Sequence, residues 1–98
     1  MGNQYEEGLR QIKRIMDDPT ILMDGLELTP RQKEIFRLCT LTDMNQYGVA
    51  YHLDVSIQTV KNTLWNAKNE RGAVTPTILR QMVLDEIRRI ANESLGLS

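Results

Sequence analysis

The chain has 98 residues, 41% hydrophobic and 26% charged, with a formal net charge of −1. This is one domain's length of ordinary soluble composition, and no apolar run approaches the roughly 20 residues that span a bilayer. The single cysteine, Cys39, excludes an internal disulfide, the single histidine, His52, excludes a His-based metal cluster, and a cytoplasmic setting is expected. The opening MGNQYEEGLR is acidic and has no apolar core, so no secretory signal is expected.

Helix signals recur along the chain, and strand signals are weak. Tyr5, Leu9, Ile12 and Met16 recur at helical spacing and predict a first helix ending near Asp17-Asp18-Pro19. A connector follows, with a turn expected at Asp24-Gly25. Thr29 as N-cap, Pro30 at the first helical position and Gln32 completing a capping box predict the second helix, with Ile35, Leu38 and Cys39 as its buried stripe. A short third helix is expected from Asp43 as N-cap, with Gln46 at the capping-box position, to about His52. The fourth runs from Ser56 as N-cap to about Asn69, with Gly72 ending it. The fifth opens on Thr75 and Pro76.

Very few residues, around LDVS, join the third and fourth helices, which is the pattern of a helix-turn-helix unit. Ala50 supplies the small residue where the helices cross. Asp54 supplies a turn residue that tolerates positive φ. Val49, Leu53, Val55, Val60 and Leu64 lock the two helices together. The alternative is an ordinary helical hairpin in a bundle. On the fourth helix Ile57, Val60, Leu64 and Ala67 form the inward stripe, so Gln58, Lys61, Asn62, Trp65 and Asn69 point outward. Lys suits guanine acceptors and Asn or Gln suit adenine, which makes these five the candidate base contacts. Ser56 and Thr59 at the helix start, with Arg31, Asn45, Gln46 and Lys68, are the candidate phosphate contacts. Charge distribution agrees. Residues 1–27 carry three basic and six acidic side chains, residues 28–80 seven and four, and residues 81–98 two and three. The middle is basic and both ends are acidic.

The stretch LTPRQKEIFRLC…VAYHLDVSIQTVKNTL resembles the LuxR-type (GerE-type) DNA-binding domain of bacterial transcription regulators over about residues 28–83. The matching signatures are Leu28-Thr29-Pro30-Arg31 and Thr59-Val60-Lys61. Asp54 replaces the family's turn glycine, Thr63 stands where His is common, and Arg71-Gly72 where Leu-Gly is common. The resemblance implies an all-α, four-helix LuxR/GerE-like helix-turn-helix domain at 28–98, preceded by an extra helix and connector at 1–27. It implies that residues 56–70 enter the major groove, that Lys61, Asn62 and Trp65 face bases, and that the last helix mediates dimers.

That last helix carries a broad apolar stripe, with Ile78, Leu79, Met82, Val83, Ile87, Ile90 and Ala91. From Pro76 to Glu93 it is about 27 Å long. It is expected to overhang its own core and to pair with a second copy through Leu79, Met82, Val83, Ile87 and Ile90. The alternative is that Leu9, Ile12 and Met16 of the first helix fold back over the stripe.

Three roles are open for Trp65: leaning inward over the rim of the core, contacting a thymine methyl or sugar edge, or anchoring a protein partner. The rim role is the expectation. No P-loop, dinucleotide glycine motif, zinc spacing or nucleophile–base pair is present, so an enzyme, a cofactor and a metal are not expected. The chain therefore reads as a stand-alone bacterial or phage regulator of transcription that binds double-stranded DNA as a homodimer, away from membranes. RNA polymerase or another regulator is the further candidate partner. Alternatives are a protein-interaction module on the same fold, a sigma region-four-like protein, or a phage DNA-packaging protein.

Overall fold

The computed structural model describes residues 3–23, 27–69, 73–94 and Gly96. They form five α-helices: α1 (Asn3–Asp17), α2 (Pro30–Leu41), α3 (Gln46–Leu53), α4 (Ile57–Asn69) and α5 (Pro76–Ser94). A single 3-10 turn at Pro19–Leu22 follows α1, and there is no strand among the described residues. The chain is all-α. Among the described residues no helix is long and apolar enough to cross a membrane. The turn expected at Asp24-Gly25 and the helix stop at Gly72 lie outside the described residues.

Local chemistry sets most of the helix starts. At α2 the capping box is complete: Thr29 Oγ1 accepts from the Gln32 amide at 3.2 Å, and Gln32 Oε1 accepts from the Thr29 amide at 2.9 Å. At α4, Ser56 Oγ accepts from the Thr59 amide at 3.1 Å. At α5, Thr75 Oγ1 accepts from the Ile78 amide at 3.2 Å, with Pro76 in the first turn. The start of α3 differs from the expectation. Its N-cap is Asn45, whose Oδ1 accepts from the Gly48 amide at 2.8 Å, and not Asp43. Thr42 is the reason: its hydroxyl takes the Met44 amide at 3.1 Å, which leaves Asp43 in the connection and starts the helix two residues later.

The core has three linked clusters. Ile35, Leu38, Val49, Ala50 and Val60 join α2, α3 and α4. Met23, Phe36, Ala67 and Leu79 join α2, α4 and α5. Ile15, Val83 and Ile90 join α1 to α5. Phe36 is fully buried and was absent from the expected α2 stripe, whereas Cys39 is only half-buried at its edge. Arg80 of α5 also ties down α2, with Nε donating to the Thr40 carbonyl at 2.8 Å.

The buried face of α1 is rotated from the expected one. Gly8 and Ile15 are buried and Ile12 is half-buried, while Tyr5, Leu9 and Met16 stay 43–55% exposed. The close approach of α5 at Gly8 explains this. A Cβ added at Gly8 would lie 2.6 Å from Ser94 Cβ, so the axis of contact runs through the glycine and not through the larger side chains.

The residues expected at a dimer surface pack largely within the chain. Leu79, Val83 and Ile90 are at most 3% exposed, and Met82 and Ile87 are half-buried. The stripe does run past the helix-turn-helix unit, as its length requires, but α1 and Leu22 cover it within the same chain. The result is an elongated molecule, 49 Å in its longest extent with a radius of gyration of 14.9 Å. A rounded chain of this length has a radius of gyration of roughly 12.5 Å.

Candidate nucleic-acid interface

The turn between α3 and α4 decides how the outer face of α4 is presented. Asp54 adopts φ 55° and ψ 48°, the left-handed conformation expected of it. Its amide and that of Val55 bond back to carbonyls of Tyr51 and Ala50 at 3.2 and 3.0 Å, which closes α3 and reverses the chain. Asp is among the few non-glycine residues that reach this conformation readily. Ala50, 6% exposed, and Val49 and Val60, fully buried, form the seam between the two helices. Thr63 is buried as well, and its hydroxyl bonds back to the Thr59 carbonyl at 2.9 Å.

With Val60, Thr63 and Ala67 turned inward, Gln58, Lys61, Asn62, Trp65 and Asn69 are all exposed, as the helical wheel predicts. They are partly organised already. Gln58 Nε2 donates to Asn62 Oδ1 at 2.8 Å, which steers both amides along one side of the helix. Asn69 Nδ2 donates to the Trp65 carbonyl at 2.9 Å, leaving its own Oδ1 outward. Lys61 Nζ sits 5.8 Å from the centroid of the Tyr47 ring, within cation–π range.

The other sequence-predicted residues divide into two groups. Arg31, Ser56 and Thr59 collect near the turn. Arg31 Nη1 donates to the Leu53 carbonyl at 2.9 Å, which places the guanidinium at the end of α3. The Ser56 and Thr59 hydroxyls bond to each other at 2.9 Å. Asn45, Gln46 and Lys68 lie elsewhere, around a cleft of about 740 Å³ between the starts of α3 and α5 and the outward face of α4. Lys61 and Trp65 line it too. Asn45 serves first as a helix cap, and its Nδ2 remains as a donor for a phosphate.

Trp65 does not take the expected rim position. It keeps 57% of its surface exposed, and Leu64 and Ala67 take the inner face in its place. Tyr47 and Tyr51 were missed by sequence reasoning. They are 65% and 91% exposed and lie four residues apart on the outer side of α3. The signal was available, because both are out of register with the buried Val49 and Ala50. Three exposed aromatic side chains thus belong to this one unit. Cys39 borders the cleft, and partial burial pushes its thiol pKa above the ordinary value. No family model, curated protein or solved structure matches the chain.

Proposed function

We propose that this chain is a sequence-specific double-stranded DNA-binding regulator of transcription, with α4 entering the major groove. The observation that carries the reading is the α3–α4 unit. A left-handed Asp54 turn and a small Ala50 seam present a helix whose exposed face holds amides and lysines, with no acidic side chain between Ile57 and Asn69. Such a face offers donors to base edges and no charge that repels phosphate. Arg31, Ser56 and Thr59 gather at the start of the same helix, where a helix N-terminus beside a guanidinium suits a phosphate. The resemblance of residues 28–83 to LuxR-type DNA-binding domains supports the same reading and the same helix.

The test is selection of bound sequences from random duplex DNA, followed by affinity measurements across salt concentration. A recovered consensus whose affinity falls steeply with salt supports the reading. Failure to enrich any sequence counts against it. A second reading, a protein-interaction module on the same scaffold, is favoured by Tyr51 at 91% exposure, since aromatic side chains are enriched where proteins dock. Salt-insensitive capture of a protein, with no DNA enrichment, would establish that reading instead.

A further inference from the structure

The 740 Å³ cleft is more than the side of a DNA-reading helix. Its size falls in the range of roughly 300–1,000 Å³ that small-molecule sites occupy. Its lining is of the matching kind. Tyr47 and Trp65 stand as exposed aromatic walls, and Met44 and Leu64 supply aliphatic surface. Among the described residues, Lys61 and Lys68 are the charged residues of the lining, and no Asp or Glu borders it. Neither lysine makes a salt bridge among the described residues, and Lys61 is held over the Tyr47 ring. The first turns of α3 and α5 both border the space, at Gln46, Tyr47 and Thr77, and add the positive ends of two helix dipoles.

We propose that this cleft binds a small amphipathic anion: a flat aromatic body carrying one carboxylate, sulfonate or phosphate. The apolar body lies against Trp65, Tyr47 and Leu64, and the anionic group meets Lys61 or Lys68. A DNA backbone has no use for the apolar surface, and an uncharged apolar ligand has no use for the lysines. The combination selects a molecule with both. Lys61 and Trp65 also belong to the candidate base-reading face, so an occupant and DNA exclude each other. That consequence alone rests on the DNA-binding reading.

The test uses anilinonaphthalene sulfonate, a fluorescent aromatic sulfonate, beside its neutral counterpart phenylnaphthylamine. Trp65 is the only tryptophan and Cys39 the only cysteine, and both border the cleft, so two reporters are built in. The expected result is saturable one-to-one binding of the sulfonate, with energy transfer from Trp65 and slowed alkylation of Cys39. In the Lys61→Gln/Lys68→Gln variant sulfonate affinity falls by about tenfold or more, the scale of a lost charge-assisted contact, while the neutral probe binds as before. Equal affinity of the parent and the variant for the sulfonate, or unprotected Cys39 at saturation, overturns the proposal. Sulfonate bound simultaneously with DNA overturns the exclusion. Sulfonate binding by every criterion, with no duplex sequence enriched in selection, leaves the cleft standing and overturns the DNA reading.

Discussion

On α1 and α5 charged side chains form ion pairs within their own helices at two places. Arg10 lies 3.5 Å from Glu7, and Arg89 bonds both Glu86 and Glu93, the latter at 2.6 Å. Each of these two helices carries three basic and three acidic residues. On α4 the arrangement is the reverse: Lys61 and Lys68 have no carboxylate on their helix, and the surrounding groups are amides, hydroxyls and a tryptophan. Exposed pairs of the first kind contribute only about 0.2–1 kcal/mol in general, but they neutralise a surface. Charges left unpaired on a helix face remain available to a partner. The α1–α5 end of the molecule is therefore neutralised in part by its own pairs, and the α4 face keeps its positive charge.

The sharpest way to break this comparison is to separate binding from stability. Replacing Lys61 and Asn62 together by Ala should weaken binding to a selected duplex by about 1–3 kcal/mol per lost base contact. Both side chains are exposed, so the unfolding free energy should move by no more than about 0.5 kcal/mol. Unchanged affinity in a gel-shift titration would remove α4 from the interface.

Gly8→Ala is the mirror experiment. The new Cβ meets Ser94 Cβ at 2.6 Å, so α1 must shift from α5, with an expected loss of about 1–3 kcal/mol in urea unfolding and no change in DNA affinity. Adding Ser94→Gly removes the opposing atom and should return part of the loss. A strict sum of the two single effects would mean that the close approach is not what places α1.

Asp54→Gly should act in the opposite direction. Glycine takes φ 55° with no Cβ penalty, which favours the turn, while its greater freedom in the unfolded chain offsets part of the gain. The expected net change is a stabilisation of at most about 1 kcal/mol, read as a higher melting temperature. A clear destabilisation would show that the Asp54 carboxylate does more than tolerate the turn.

The smallest effect is electrostatic. The Arg89 guanidinium bonded to Glu86 holds that carboxyl below its ordinary range. A carboxylate with a depressed folded pKa stabilises the protein above its unfolded pKa, and that contribution is lost as pH falls through the folded value. Glu86→Gln should therefore lower the melting temperature slightly at neutral pH, and the difference from the parent should vanish in acid. A difference that persists once the carboxylates are protonated would point to packing instead of charge.

Much of the site was legible because helical chemistry is local. Thr29 with Gln32, Ser56, and Thr75 with Pro76 name the starts of α2, α4 and α5, since caps act within one turn. The residues facing outward on α4 follow from the stripe of Val60 and Ala67, because a helix carries a fixed rotation per residue. Asp43 misled because two neighbouring residues, Thr42 and Asn45, competed for the same role, and only the backbone path decided between them.

Composition and periodicity by themselves determined an all-α chain, the left-handed turn at Asp54 and the polar outer face of α4, all of which depend on residues within a few positions of one another. Tertiary structure alone decided the rest. The apolar stripe of α5 has the same pattern whether a second copy covers it or α1 does, and the packing of α1 on it, closest at Gly8, is visible only in the tertiary structure. Trp65 sits on the border of its helix's apolar stripe, and only the packing, which turns Leu64 and Ala67 to the core, shows the ring exposed. The cleft beside it gathers Met44, Lys61 and Thr77 from separate parts of the chain. No periodicity encodes such a meeting, because it is set by how α3, α4 and α5 pack around one another.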